Sequence, residues 1–347
     1  MNEKSLSKTH GKILQRVAKT DTNIHGIRKA ETVPARKLSL VIFGGERTVK
    51  NKDANWYMSM FERLLHFYNI HDVNIYSAVY DFESTNRKPE RTNAFIAAGH
   101  KIARMYGATT PIDTQYIDDL YRTVVRPRFI NKNNEILSEI DAINNVRQLI
   151  IFDHCHGATP VRAFQDIMAS DMEKSGYTPS TIRKIMKNLL VIQHAPVAPL
   201  EKSRFNTVSF MSANDTLMNF YNKISEYIAD NNADVLPSYI SLGNFFVTHA
   251  FTYQYLDEHS IIGLVPNEIY GMLTPDGEII MAAERNAIIN GIRAAQQGAP
   301  MPTIRELIAP ASDKDAIKPD FDTLMQNGES LMNMMRYDMA QEKSKER

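Results

Sequence analysis

The stretch Leu149-Ile150-Ile151-Phe152-Asp153-His154-Cys155-His156-Gly157-Ala158 decides how the rest of the chain is read. Leu149 to Phe152 is an uninterrupted apolar run, the pattern of a strand buried on both faces. Gly157 punctuates it, and helical sequence follows from about Thr159 to Lys174. The order is strand, tight turn, helix, with Cys155 on the turn. Such a turn needs small residues where the backbones of strand and helix approach. Gly157 supplies one two positions after Cys155, whereas Asp153 stands two positions before it, where a small residue is usual. The turn also sets Cys155 near a helix N-terminus, whose unpaired N–H groups and dipole favour an anion. His154 and His156 flank it, and a neighbouring imidazolium favours the thiolate, a good nucleophile toward acyl carbon. Two plainer readings compete. A lone cysteine commonly serves as a small buried hydrophobe. His154, Cys155 and His156 are also zinc-ligand types, but three consecutive residues rarely converge on one ion, so no metal is expected.

Upstream, Leu38-Ser39-Leu40-Val41-Ile42-Phe43, ended by Gly44-Gly45, predicts a second buried strand and its turn. Asn55 to Asn69 reads as a helix, with Met58, Phe61, Leu64, Leu65 and Tyr68 at helical spacing. Val73 to Phe82 is rich in β-branched and aromatic residues and predicts a strand. Residues 83–146 are mostly polar, helix-like and strand-free, over Arg91–Tyr106, Asp113–Val125 and Asn134–Val146. An inserted cap or a set of covering helices accounts for them. Downstream, Leu189–Gln193 and Thr207–Met211 predict strands, and Asp215 opens a helix to about Ala229. Strands separated by helices imply an α/β fold, a mostly parallel central sheet with helices on both faces and a helical insertion.

Of 347 residues, 43% are apolar, enough for a substantial core. Forty basic and 40 acidic residues give a formal net charge of zero, which argues against a partner bound through nucleic-acid phosphates. One cysteine rules out an intramolecular disulfide and suggests a reducing compartment. No stretch reaches the roughly 18 apolar residues of a membrane span, so no transmembrane segment is expected. The start Met1-Asn2-Glu3-Lys4 lacks the apolar core of a secretory signal, so a cytoplasmic location is expected, with signal-less export left open. Residues 1–37 carry nine basic and three acidic residues, a net +6. They are expected to form a flexible basic arm, able to touch an anionic surface. The main domain is expected over 38–296, followed by a helical or loose tail over 297–347, Met-rich and charged from 313 onward.

With the turn and the strands in place, residues 38–265 resemble the α/β-hydrolase superfamily, most closely its fungal-type (class 3) lipase group, with Cys155 where those enzymes carry serine. Val41-Ile42-Phe43-Gly44-Gly45-Glu46, followed by Asn55-Trp56, looks like their oxyanion strand and the helix behind it. Thr207 to Asp215 looks like the strand and loop that deliver the acid. Leu256-Asp257-Glu258-His259-Ser260 looks like the late loop that delivers the histidine. The chain order nucleophile, acid, histidine is the one this fold uses. The separations are 60 residues from Cys155 to Asp215 and 44 from Asp215 to His259.

The resemblance implies acyl transfer to or from an ester, thioester or lipid, without a cofactor. Cys155 would be the nucleophile, His259 the base and Asp215 its orienting acid. The backbone N–H of His156 and one from Gly45 or Glu46 would form the oxyanion hole. His249 is the alternative base, although its apolar neighbours suggest a core position. His194 and His154 come after it. Asp81 and Asp234 are rival acids, and Asp215 also suits a helix N-cap. Two other classes of function stay open: a non-catalytic binding or scaffold relative, and a Cys–His amidase or peptidase on another sheet topology. Strand order separates the latter, because the first reading needs the Cys155 strand to be central and flanked on both sides.

Overall fold

The computed structural model describes residues 12–17, 27–45, 51–79, 111–154, 157–194, 196, 203–212, 239–241 and 282–311. Among the described residues eight strands form one sheet: β1 (Lys12–Arg16), β2 (Ile27–Ala30), β3 (Ser39–Phe43), β4 (Asn74–Val79), β5 (Leu149–His154), β6 (Leu190–His194), β7 (Asn206–Ser212) and β8 (Tyr239–Ser241). Their order is β2-β1-β4-β3-β5-β6-β7-β8. From β4 to β8 every pairing is parallel, and β1 runs antiparallel to both β4 and β2. β3, β5 and β6 are buried at every position, which their unbroken apolar runs foretell.

Helices cover both faces. One layer holds α1 (Asn51–Phe67), α6 (Ala282–Gln296) and α7 (Ile304–Ile308). Phe61, Ile288 and Leu307 in this layer pack on Leu40, Ile150, Phe152 and Ile192 of the strands. The other layer holds α2 (Pro111–Val124), α3 (Glu139–Arg147), α4 (Ala158–Lys174) and α5 (Pro179–Met186). Here Leu120, Val161, Phe164 and Ile185 meet Val41, Leu149, Ile151 and Val191. Adjacent strand residues thus serve opposite cores, as the period of two requires. Burial of each large apolar side chain contributes about 1.5–3 kcal/mol. Arg128, fully buried, ties this layer to the segment before β3: its Nη1 donates to the carbonyls of Ala35 and Asn145, at 2.5 and 3.2 Å.

Two expectations are revised. The flexible arm expected over 1–37 contains two strands of the sheet, and Ile13 and Leu14 of β1 are 1% and 3% exposed. They point into opposite cores, so docking of β1 on β4 buries both. The boundary at 296 also falls too early. Thr303 and Glu306 form a reciprocal capping box that starts α7, and Leu307 is fully buried against the core. Of the two arrangements expected for the insertion, the 111–146 part takes the second, a set of covering helices on one sheet face. The rest of that insertion lies outside the described residues.

Candidate active site

β5 ends at His154 and α4 starts at Ala158, so Cys155, His156 and Gly157 make the whole connection. Gly157 is the N-cap of α4 and lies against the end of β3. A Cβ built on it would stand 2.0 Å from the carbonyl oxygen of Phe43 and 2.9 Å from that of Gly44. This close approach is the physical reason for glycine here. Gly157 offers no side chain to cap α4, and the first turn of the helix holds no acid to satisfy the dipole internally. In the same turn the Thr159 hydroxyl is buried without a hydrogen-bond partner.

Among the residues assigned to the site from sequence, Gly45 is described. Its N–H donates to Tyr57 Oη at 3.2 Å, so its expected role as an oxyanion donor requires exchange of that bond. Cys155, His156, Glu46, Asp215, His249 and His259 lie outside the described residues, as do Asp81 and Asp234.

The structure does describe a buried polar layer at the carboxyl ends of β5 and β6. These strands end alike, Phe152-Asp153-His154 and Ile192-Gln193-His194, and their parallel register sets Asp153 beside Gln193 and His154 beside His194. Both histidines lie on the face that carries α1 and α6. Tyr57 Oη bonds His154 Nδ1 at 2.5 Å. His194 Nδ1 meets Glu284 Oε2, from the first turn of α6, at 3.0 Å. The two imidazole centroids are 5.1 Å apart. Glu284 is 0% exposed and its Oε1 has no hydrogen-bond partner. On the opposite face Ser209 Oγ donates to Gln193 Oε1 at 2.8 Å, and Gln193 Nε2 donates to Asp153 Oδ2 at 3.0 Å. Burial dominates at Asp153 and pushes its carboxyl up to about 8, against a smaller opposing effect of the Gln193 amide.

Tyr57 thus joins the loop after β3 to the end of β5 through one hydroxyl. Tyr57→Phe keeps the ring and removes that bridge from two buried groups. A loss of about 1–3 kcal/mol in urea unfolding is expected, and an unchanged midpoint would show that the bridge contributes nothing.

The sequence places His194 low among the candidate bases and points to neither Tyr57 nor Glu284. A signal exists for each. Tyr57 stands four residues before Phe61 on the apolar stripe of α1, and Glu284 stands four before Ile288 on the buried face of α6. An acid at such a position is expected to have a buried partner. Identifying the partner as His194 requires the sheet.

Among the described residues no group of three or more His, Cys, Asp or Glu is arranged to hold a metal ion. None of the described helices is long and apolar enough to cross a membrane. A groove of about 500 Å³, lined by Arg16, Glu62, Arg63, His66, His71 and Asn74 among others, lies at the other end of the sheet, by the amino end of β4. It takes no part in this layer. No protein-family model and no curated protein matches the chain.

Proposed function

We propose that this chain is an acyl-transfer enzyme of the α/β-hydrolase type, acting through a covalent acyl-Cys155 on an ester, thioester or lipid substrate. The observation that carries the reading is the position of β5, the strand that leads in sequence to Cys155. It is flanked by β3 on one side and β6 on the other, and it ends at the carboxyl ends of parallel strands, where open α/β sheets place their sites. The packing of Gly157 on Phe43 supports it further, since the turn and the loop after β3 are the two segments that furnish oxyanion donors in such enzymes. A central strand also weighs against an amidase or peptidase of other topology. The reaction needs no cofactor: the thiolate attacks the acyl carbon, backbone N–H groups stabilise the oxyanion, and water or a second nucleophile releases the acyl group. An imidazole must take and return the proton, and His259 with Asp215, or His249, fill that role in the resemblance.

A fluorogenic thioester panel and an acyl-reactive probe test the reading. Wild type is expected to be labelled once per chain, and Cys155→Ala to lose both labelling and turnover. Retention of both by Cys155→Ala would overturn it. Absence of labelling in a correctly folded wild type would favour the binding or scaffold alternative.

A further inference from the structure

We propose that the groove at the amino end of β4 is a binding site for a small organic acid, a single carboxylate on an apolar body. The proposal does not rest on the role of Cys155. The end of α1 builds the groove. Asn69 takes a left-handed conformation, φ 54°, and closes the helix: its N–H donates to the carbonyl of His66 at 3.0 Å, and that of Ile70 donates to the carbonyl of Leu65 at 2.8 Å. These two bonds are the Schellman arrangement, which turns the residue after the left-handed position back onto the last helical turn. Ile70 therefore joins Leu65 and Ile75 in one apolar floor, 6%, 3% and 5% exposed, within the core cluster under α1. The same turn returns His71 to the side of His66, with ring centroids 5.7 Å apart. It also occupies the carbonyls at the negative end of the helix dipole, which otherwise repel an anion.

The polar wall above this floor carries one positive charge in excess. Arg16 is fully engaged: its Nη2 meets Glu62 Oε2 at 2.8 Å and its Nη1 donates to Asn55 Oδ1 at 2.7 Å. Glu62 is the one acid among the lining residues, and this pair neutralises it. Arg63 lines the same groove, and among the described residues its guanidinium has no hydrogen-bond or ion-pair partner. A guanidinium matches a carboxylate in charge and in its planar pair of donors. His66 stands one helical turn on, likewise without a hydrogen-bond partner for its ring among the described residues, whereas His71 Nε2 is held by Asn69 Oδ1 at 2.8 Å. In either tautomer the His66 imidazole keeps one N–H to donate to a second carboxylate oxygen. The volume, about 500 Å³, lies in the range of small-molecule sites and far exceeds what an inorganic anion fills. Charge excess on one wall and a buried apolar floor beneath it select an anion with an apolar body.

Calorimetric titration of the full chain with octanoate tests the proposal. Octanol supplies the apolar body without the charge, and inorganic phosphate the charge without the body. Octanoate is expected to bind with a Kd of about 1 mM or tighter, and each of the other two at least about tenfold more weakly. Arg63→Glu, at an exposed position, should weaken octanoate at least about tenfold. Lys174→Gln, an exposed residue of α4 on the opposite face of the sheet, should leave binding unchanged. Absence of octanoate binding overturns the proposal. So does equal binding by Arg63→Glu, because the acid then sits elsewhere on the chain. Octanol or phosphate bound as tightly as octanoate overturns the ligand class. The wild type covers the case of an unfolded variant: the ring C–H signals of His66 and His71, assigned with His66→Gln and His71→Gln, should move on addition of octanoate and stay in place with octanol. Signals that do not move with octanoate overturn the site.

Discussion

Gly157→Ala is expected to destabilise the domain by at least about 3 kcal/mol, the upper range for overpacking a tight site. Backbone preference does not decide this. At φ −59° and ψ −22° any residue is comfortable, and alanine at a helix start differs from glycine by less than about 1 kcal/mol. The steric contact decides. The added carbon would meet the Phe43 carbonyl at 2.0 Å, and its other near neighbours, the Phe43 carbonyl carbon and the Gly44 oxygen, are backbone too. β3 is held on both sides, by β4 and β5, so it cannot retreat without losing ladder hydrogen bonds. The remaining escape is to lift α4 off the sheet, which opens the core at Val161 and Phe164. Two controls calibrate the result. At Gly291 the nearest atom is Leu190 Cδ2, the end of a side chain, and a rotamer change relieves part of the clash. Gly176 has nothing within 4 Å but a φ of +101°, so alanine there costs about 1–2 kcal/mol of backbone strain and no steric clash. Urea unfolding should rank Gly157 as the most costly of the three. A Gly157→Ala loss no larger than that at Gly176 would show that the close approach is not part of the folded state.

The strands with continuous apolar runs were legible because burial on both faces leaves no choice of residue. Leu40-Val41-Ile42-Phe43 and Leu149-Ile150-Ile151-Phe152 needed no context. β1 and β2 were not legible. Lys12-Ile13-Leu14-Gln15-Arg16 has only two buried residues, and Ile27-Arg28-Lys29-Ala30 has none. Their charges suit the rim of a sheet, where they discourage further pairing, yet in sequence the same charges read as a solvated arm. α5 was not read from the sequence: Thr178-Pro179 is an N-cap followed by proline at the first helical position, but eight residues give little periodicity. The site was legible in part. Cys155 and Gly157 follow from a local pattern, strand then turn then helix. The polar layer at the carboxyl ends of β5 and β6 does not, since His194 and Glu284 are 90 residues apart and Tyr57 and His154 are 97 apart. Only the parallel register that aligns Asp153-His154 with Gln193-His194 brings these groups to one level.

Asp153 occupies the position where such a turn usually has a small residue, and Asp153→Asn is expected to abolish the pH dependence it imposes. The carboxyl is 0% exposed, and burial raises it from 3.8 to about 8. Between those values the folded chain holds a proton that the unfolded chain has lost. Stability therefore falls as pH rises from about 4 to about 8, the reverse of a salt-bridged aspartate. At about 1.4 kcal/mol per pH unit, the gap corresponds to at most on the order of 5 kcal/mol. The asparagine side chain has the same shape, accepts from Gln193 Nε2 through its carbonyl oxygen and cannot ionise. The variant should match wild type near pH 4 and exceed it by several kcal/mol near pH 8, with the difference growing steadily between. Denaturant midpoints at four or five pH values measure this. A constant difference would place the Asp153 proton outside the folding equilibrium. The chemistry explains why an acid is tolerable here: in the neutral form it is a hydrogen-bonding group of the core, linked through Gln193 to Ser209. It supports the end of β5 from the face opposite His154, so the end of β5 has polar anchors on both sides of the sheet.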